Sequence, residues 1–279
     1  MLNSKLKGLP HIYYLNLDAE VNRRKYMESQ FSYWGIENYT RVSASNFLVQ
    51  NFEQWKHVLH LPEYHTSQFD FWDKNSPSNC RNVAVSISHL EIIKKWVEET
   101  TDPYMIIMED DTDINLIKYW HFDWEYLMNN VPYDWDAIQL MFNSDSVIPC
   151  FLHVKLGNSW NGPIMITRFY AEKLLRLYFI NGKYNFLVKS NRKNLCFVTK
   201  SVAHVGVDDF LGFNGKVYQL PLFSQNPYLD KTQRKQHIIS HRAHYFWWKK
   251  MRDKFTLDDF FTYGKDHDIK MTINLKPWI

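Results

Sequence analysis

Glu109, Asp110 and Asp111 stand in a row directly after the apolar run Tyr104-Met105-Ile106-Ile107-Met108, and Asp113 follows two positions later. A short run that is apolar throughout predicts a strand in the middle of a parallel sheet. Open α/β sheets bind their ligands beyond the carboxyl ends of such strands. Carboxylates placed there can grip a hard divalent cation, which prefers oxygen ligands. That cation can in turn neutralise charge growing on a phosphate leaving group. The pattern Asp111-Thr112-Asp113 carries little by itself. With 19 Asp in 279 residues, about one such spacing arises by chance. Asp134-Trp135-Asp136 and Asp266-His267-Asp268 share it. The strand before the turn separates the first match from these; a solvated acidic turn capping the next element is the alternative reading.

Other residues carry possible chemistry further on. His237, His241 and His244 fall at i, i+4 and i+7, one face of a helix, which suits a metal. Arg234, Lys235 and Arg242 surround them and disfavour a cation. The stretch Arg242 to Phe255 mixes Tyr, Phe and Trp with Lys and Arg. It suits either an anionic membrane surface or the packing of a C-terminal helix on the core.

The elements that must position the acidic turn begin with His11 to Leu17, a β-rich run followed by a polar turn. A helix is expected over Val21 to Trp34, closed by Gly35 as its C-terminal cap. Tyr39 to Val42 reads as a second strand, so the chain opens β-α-β and a parallel sheet follows. Residues 46–80 read as a surface insertion with some helix near Phe52 to Leu61. Val85, Leu90, Ile93 and Val97 recur at helical spacing and predict a helix over Val83 to Glu99, broken at Asp102-Pro103. Further strands are expected at Ala137 to Met141 and Ile164 to Thr167. A helix over Arg168 to Phe179 should end at Asn181-Gly182. The segment 195–223 reads as short strands and turns, and 224–279 shows few periodic signals.

Size and composition fit one large α/β domain or two small ones. The chain has 45% hydrophobic and 23% charged residues, the balance of a globular protein, and is long enough to bury a core without disulfides. Cys80, Cys150 and Cys196 are three, widely spaced, and form no C-x-x-C pair. They read as reduced thiols in a cytosol-like compartment, with no zinc site. No signal-peptide pattern opens the chain and no run of 18 apolar residues crosses a membrane. A net charge of +3 is too weak to argue for nucleic acid.

Several blocks in order resemble glycosyltransferase family 25. Tyr14-Leu15-Asn16-Leu17-Asp18 with Asn22-Arg23-Arg24 is similar to the family's opening block, and Ser86-Ile87-Ser88-His89 to its Ser-His helix start. Met105 to Asp111 is similar to its strand and acidic turn. Asp136 to Leu140, Gly162 to Ile166, and Val207-Asp208-Asp209 with Val217-Tyr218 and Pro221-Leu222 are similar to later blocks. The family's Gly- and Glu-bearing segment before the Ser-His pair is replaced here by Arg81-Asn82-Val83-Ala84-Val85. The likeness covers about residues 10–225.

The resemblance implies a GT-A-like, Rossmann-related single domain over 1–225, with a mostly parallel central sheet flanked by helices. It leaves 226–279 as a C-terminal basic and aromatic extension, packed on the domain or on the inner membrane face. It implies an inverting transfer of a hexose, galactose or glucose, from a UDP-sugar to a glycan or glycolipid acceptor, with Mn²⁺ or Mg²⁺. Asp111 and Asp113 are then the expected metal ligands. Asn16, Leu17, Arg23, Arg24, Ser43, Ser88, His89 and Asp110 are the expected donor contacts. Asp208 and Asp209 are candidates for the base, or else an N-cap for a short helix at Phe210-Leu211. Nucleic acid is not an expected partner. A nucleotide- or glycan-binding module without turnover is the alternative function.

Overall fold

The computed structural model describes residues 2–46, 57–59, 77–143, 147–155, 160–185, 207–229, 235–250, 252–261 and 272–274. β1 (Ile12–Asn16), α1 (Val21–Trp34) and β2 (Tyr39–Ser43) form the expected β-α-β opening, with β1 and β2 parallel. Met27, Gln30, Phe31 and Trp34 line the inner face of α1. Gly35 stops the helix at φ 66°, which an L side chain resists. Its N–H reaches Ser32 O and the Ile36 N–H reaches Phe31 O, a Schellman closure.

α2 spans Pro77–Glu99 and starts six residues before the expected Val83. β3 (Tyr104–Glu109) follows, then the short β4 (Thr112–Asp113). α3 (Trp124–Asn130), β5 (Ala137–Gln139), β6 (His153–Val154), β7 (Ile164–Thr167) and α4 (Arg168–Tyr178) come next. α5 (Val207–Phe213), β8 (Val217–Gln219), β9 (Ser224–Gln225), α6 (Lys235–Lys250) and α7 (Leu257–Phe261) complete the set used below. The helix expected near 52–61 and the third Asp-x-Asp match, at 266–268, lie outside the described residues, apart from 57–59.

The central sheet has seven strands in the order β2-β1-β3-β7-β5-β8-β6. It is mostly parallel: β1, β2, β3, β5 and β8 share one direction, while β7 and β6 run against their neighbours. An apolar run such as Ile164 to Ile166 is buried in either direction, so its sequence does not say which way it runs. Alternation along the strands divides the core in two. Ile12, Tyr14, Ile106, Met108, Ile138 and Tyr218 face α1, α3 and α6. Tyr13, Leu15, Met105, Ile107, Ala137 and Val217 face α2, α4 and α5.

Two sequence expectations are corrected. Asn181-Gly182 does not end the preceding helix, which stops at Tyr178. Both residues have positive φ and make the two-residue turn between the paired strands Phe179–Ile180 and Lys183–Tyr184, the hairpin use of Asn-Gly. The region after 224 is helical over Lys235–Lys250, and Ile239, Ala243, Trp247 and Trp248 belong to the first core layer. The Trp248 Nε1–H donates to Pro221 O at 2.8 Å. Among the described residues no helix is long and apolar enough to cross a membrane.

Candidate functional site

The carboxyl ends of β1, β3, β5 and β8 open on one edge of the sheet, and the acidic turn leaves β3 there. The pleat sends neighbouring side chains to opposite faces. Glu109 continues the Met105-Ile107 face toward α2 and α5. Asp110 turns the other way, into a buried knot with β1 and α1. Its Oδ2 accepts from Asn16 Nδ2 at 2.7 Å and its Oδ1 from Arg23 Nη1 at 2.8 Å. Asn16 is 1% exposed. Its amide also donates to Glu20 O, and its Oδ1 accepts from Arg41 Nε. Asn16 thus orients Asp110 and presents no polar atom to a ligand.

Asp111 is held from the far end of the chain. Its Oδ2 accepts from Gln225 Nε2 at 2.9 Å, its backbone O accepts from Asn226 N at 2.7 Å, and Arg23 Nη1 lies 3.7 Å from Oδ2. The pairing of β4 with β9 brings Gln225 there. Asp113 turns toward α6. Its Oδ1 accepts from Asn115 N and Nδ2, and its Oδ2 accepts from Tyr245 OH at 2.8 Å. His241 Nδ1 is 4.0 Å from the same oxygen. Burial and the Asp113 charge push the Tyr245 hydroxyl well above its usual range, so it stays a donor.

On the other face, 39% of the Glu109 side-chain surface is open. Its carboxyl is pushed up to about 8, by the crowding of protein around it and then by the charges of Asp111, Asp208 and Asp110. Burial also pushes Asp111 up, against the Gln225 N–H and Arg23. His89 Nε2 sits 4.0 Å from Glu109 Oε1. Its Nδ1 bonds Val85 O at 2.9 Å, which fixes the proton on Nδ1 and leaves a lone pair on Nε2. Burial lowers this imidazole to about 4, so it is neutral at pH 7. Asp208, on the first turn of α5, adds its charge to this side. The Asp209 side chain lies outside the described residues.

The remaining expected contacts are spread more widely. Ser43 and Arg41 bind Asp18, beside the β1 end. Arg24 adds its charge to Asp18, while Leu17 closes the turn between β1 and α1 through its carbonyl. Ser88 donates to Ala84 O and accepts from Ser45 N. Because α2 begins at Pro77, Ser88 and His89 are mid-helix. Their backbone N–H groups are spent on helix bonds and cannot cradle a phosphate. Asp136 lies at the opposite sheet edge and accepts from Lys216 N, so that Asp-x-Asp match braces a turn. The sequence assigns no site role to Gln225, Asn226, Arg41 or Gln30. Gln30 bridges Thr112 O and the Ile114 N–H, and its only sequence signal is a polar residue on the apolar face of α1.

Among the described residues no three His, Cys, Asp or Glu side chains converge as a metal-ligand group. The donor set still fits a Mg²⁺-type ion, which one or two carboxylates hold while phosphate oxygens and water complete the shell. Carboxyls raised by burial and then by one another's charge are a site that a cation relieves. Comparison of the sequence with protein-family models and with curated proteins finds no match to either.

Proposed function

We propose that this protein transfers a hexosyl group from a UDP-type nucleotide sugar to a glycan or glycolipid hydroxyl, with inversion, in a GT-A-like domain. One observation carries the reading. At the carboxyl edge of the sheet, the Arg23 guanidinium lies 2.8 Å from Asp110 and 3.7 Å from Asp111, and Glu109 on the other face feels the charges of Asp111, Asp208 and Asp110. Such a knot offers oxygen ligands to a cation and a positive group to a diphosphate. The antiparallel β7 between parallel β3 and β5 agrees with a GT-A-like sheet, as does the acidic turn beside it.

Asp111, with Glu109 or Asp110 beside it, would hold Mn²⁺ or Mg²⁺; the bound cation would neutralise charge on the departing diphosphate. The acceptor hydroxyl oxygen forms a bond to the anomeric carbon as the bond from that carbon to the diphosphate oxygen breaks. The hydroxyl proton passes to a carboxylate, for which Asp208, whose charge reaches Glu109, is the candidate. Arg23 steadies the diphosphate oxygens.

The test is product formation from a panel of UDP-hexoses with Mn²⁺ and simple glycan acceptors. Asp208→Asn should lower kcat by about 10²–10⁴-fold, the usual worth of a positioned base. Absence of product from every donor, or full turnover in Asp111→Ala, overturns the reading. A second reading, a nucleotide-binding module without turnover, is favoured by the protein hydrogen bonds already made to Asp110, Asp111 and Asp113. Donor binding without product would select it.

A further inference from the structure

The outer face of α6 takes no part in the proposed transfer. Lys235, Arg242, Phe246, Lys249 and Lys250 are exposed along it, and Phe246 is 45% open. At 100° per residue these five positions fall within an arc of roughly 100°. The inner face is anchored by Ile239, Ala243, Trp247 and Trp248, so the stripe is carried on a rigid element. α6 contains no Asp or Glu. At its flank, Lys118 Nζ lies 4.9 Å from the Tyr119 ring centroid and 5.6 Å from that of Tyr245, which adds a cation beside the row.

We propose that this face docks the protein flat on an anionic lipid bilayer, with Phe246 entering the boundary between headgroups and acyl chains. A row of cations about 22 Å long on one helix face matches a plane of negative headgroups. An apolar ring amid the cations is what an interfacial helix presents to a membrane. Basic residues in the last turn also suit the helix dipole, which accounts for Lys249 and Lys250 but not for Arg242 or Phe246. A nucleic-acid partner would draw on a broad positive field, and the chain has a net charge of only +3. The proposal stands whether or not the transferase reading does.

The experiment is co-sedimentation of the full chain with vesicles of phosphatidylcholine alone or mixed with phosphatidylserine. The expected result is binding to the mixed vesicles only, weakened by added salt. Each cation near such a surface changes partitioning roughly fivefold, so the triple variant R242E/K249E/K250E should lose about a hundredfold. F246S should lose several-fold at the parent's melting temperature, and the triple variant should still unfold cooperatively, at a slightly lower temperature because Glu replaces Lys at the negative end of the helix dipole. No binding to the mixed vesicles overturns the proposal. So does binding that the triple variant leaves unchanged, or retention of duplex DNA, lost in the triple variant, without vesicle binding.

Discussion

Glu109 and Asp110 are neighbours in the chain that face opposite sides of the sheet, and their environments differ accordingly. Asp110 accepts from an amide and a guanidinium. Glu109 meets like charges and a neutral imidazole. An unfolded Glu109 gives up its proton near the ordinary 4.5, whereas the folded one holds it to about 8. Between those values the folded state binds more protons, so this group's contribution to stability falls as pH rises. Glu109→Gln removes the effect: its melting temperature should gain on the parent's steadily from about pH 5 to pH 8, and parallel Tm–pH curves would refute the assignment. Arg23 is the counter-charge of the knot. Arg23→Met leaves Asp110 and Asp111 facing each other without it and should cost about 2–4 kcal/mol, read by urea denaturation. The cost should shrink at low pH, as the carboxyls protonate.

At the scale of elements, the acidic turn is held from two sides. α1 and β1 supply Arg23 and Asn16, while β9 and α6 supply Gln225 and Tyr245. The second support lies more than a hundred residues away in sequence, and β4–β9 pairing joins it to the turn. Tyr245→Phe removes one partly buried hydrogen bond to a charged group and should cost about 1.5–3 kcal/mol. Trp248→Ala opens a cavity in the layer that seats α6 and should cost about 3–5 kcal/mol. If α6 seats the acidic turn, both changes should also weaken UDP binding. Stability loss with unaltered UDP affinity would confine α6 to a packing role.

At the scale of the whole molecule, the parts of the fold read from sequence are those fixed by local chemistry. The β-α-β opening, the glycine stop at Gly35 and the apolar strand before the acidic turn each follow from a few adjacent residues. The direction of β7 did not, because Ile164 to Ile166 is equally apolar either way round. Nor did the role of Asn181-Gly182, which needed the pairing of Phe179–Ile180 with Lys183–Tyr184 to become a hairpin. In the site, Arg23, Asp110 and Asp111 were legible by type and position after a strand. The inward turn of Asn16 and the capture of Asp113 by Tyr245 were not, because both depend on which distant side chain arrives. Gln225 and Asn226 carry no motif and act through the register of a two-residue strand.

The central claim is that the carboxylates at the end of β3 hold a nucleoside diphosphate through a divalent cation. Calorimetric titration of UDP into the protein, with Mn²⁺ and then with Mn²⁺ removed by chelator, tests it most directly. The account predicts binding with Mn²⁺ that falls at least about tenfold without it, a loss of 1.4 kcal/mol or more, and that falls likewise in Asp111→Asn with Mn²⁺ present. UDP affinity indifferent to both the ion and Asp111 would contradict it.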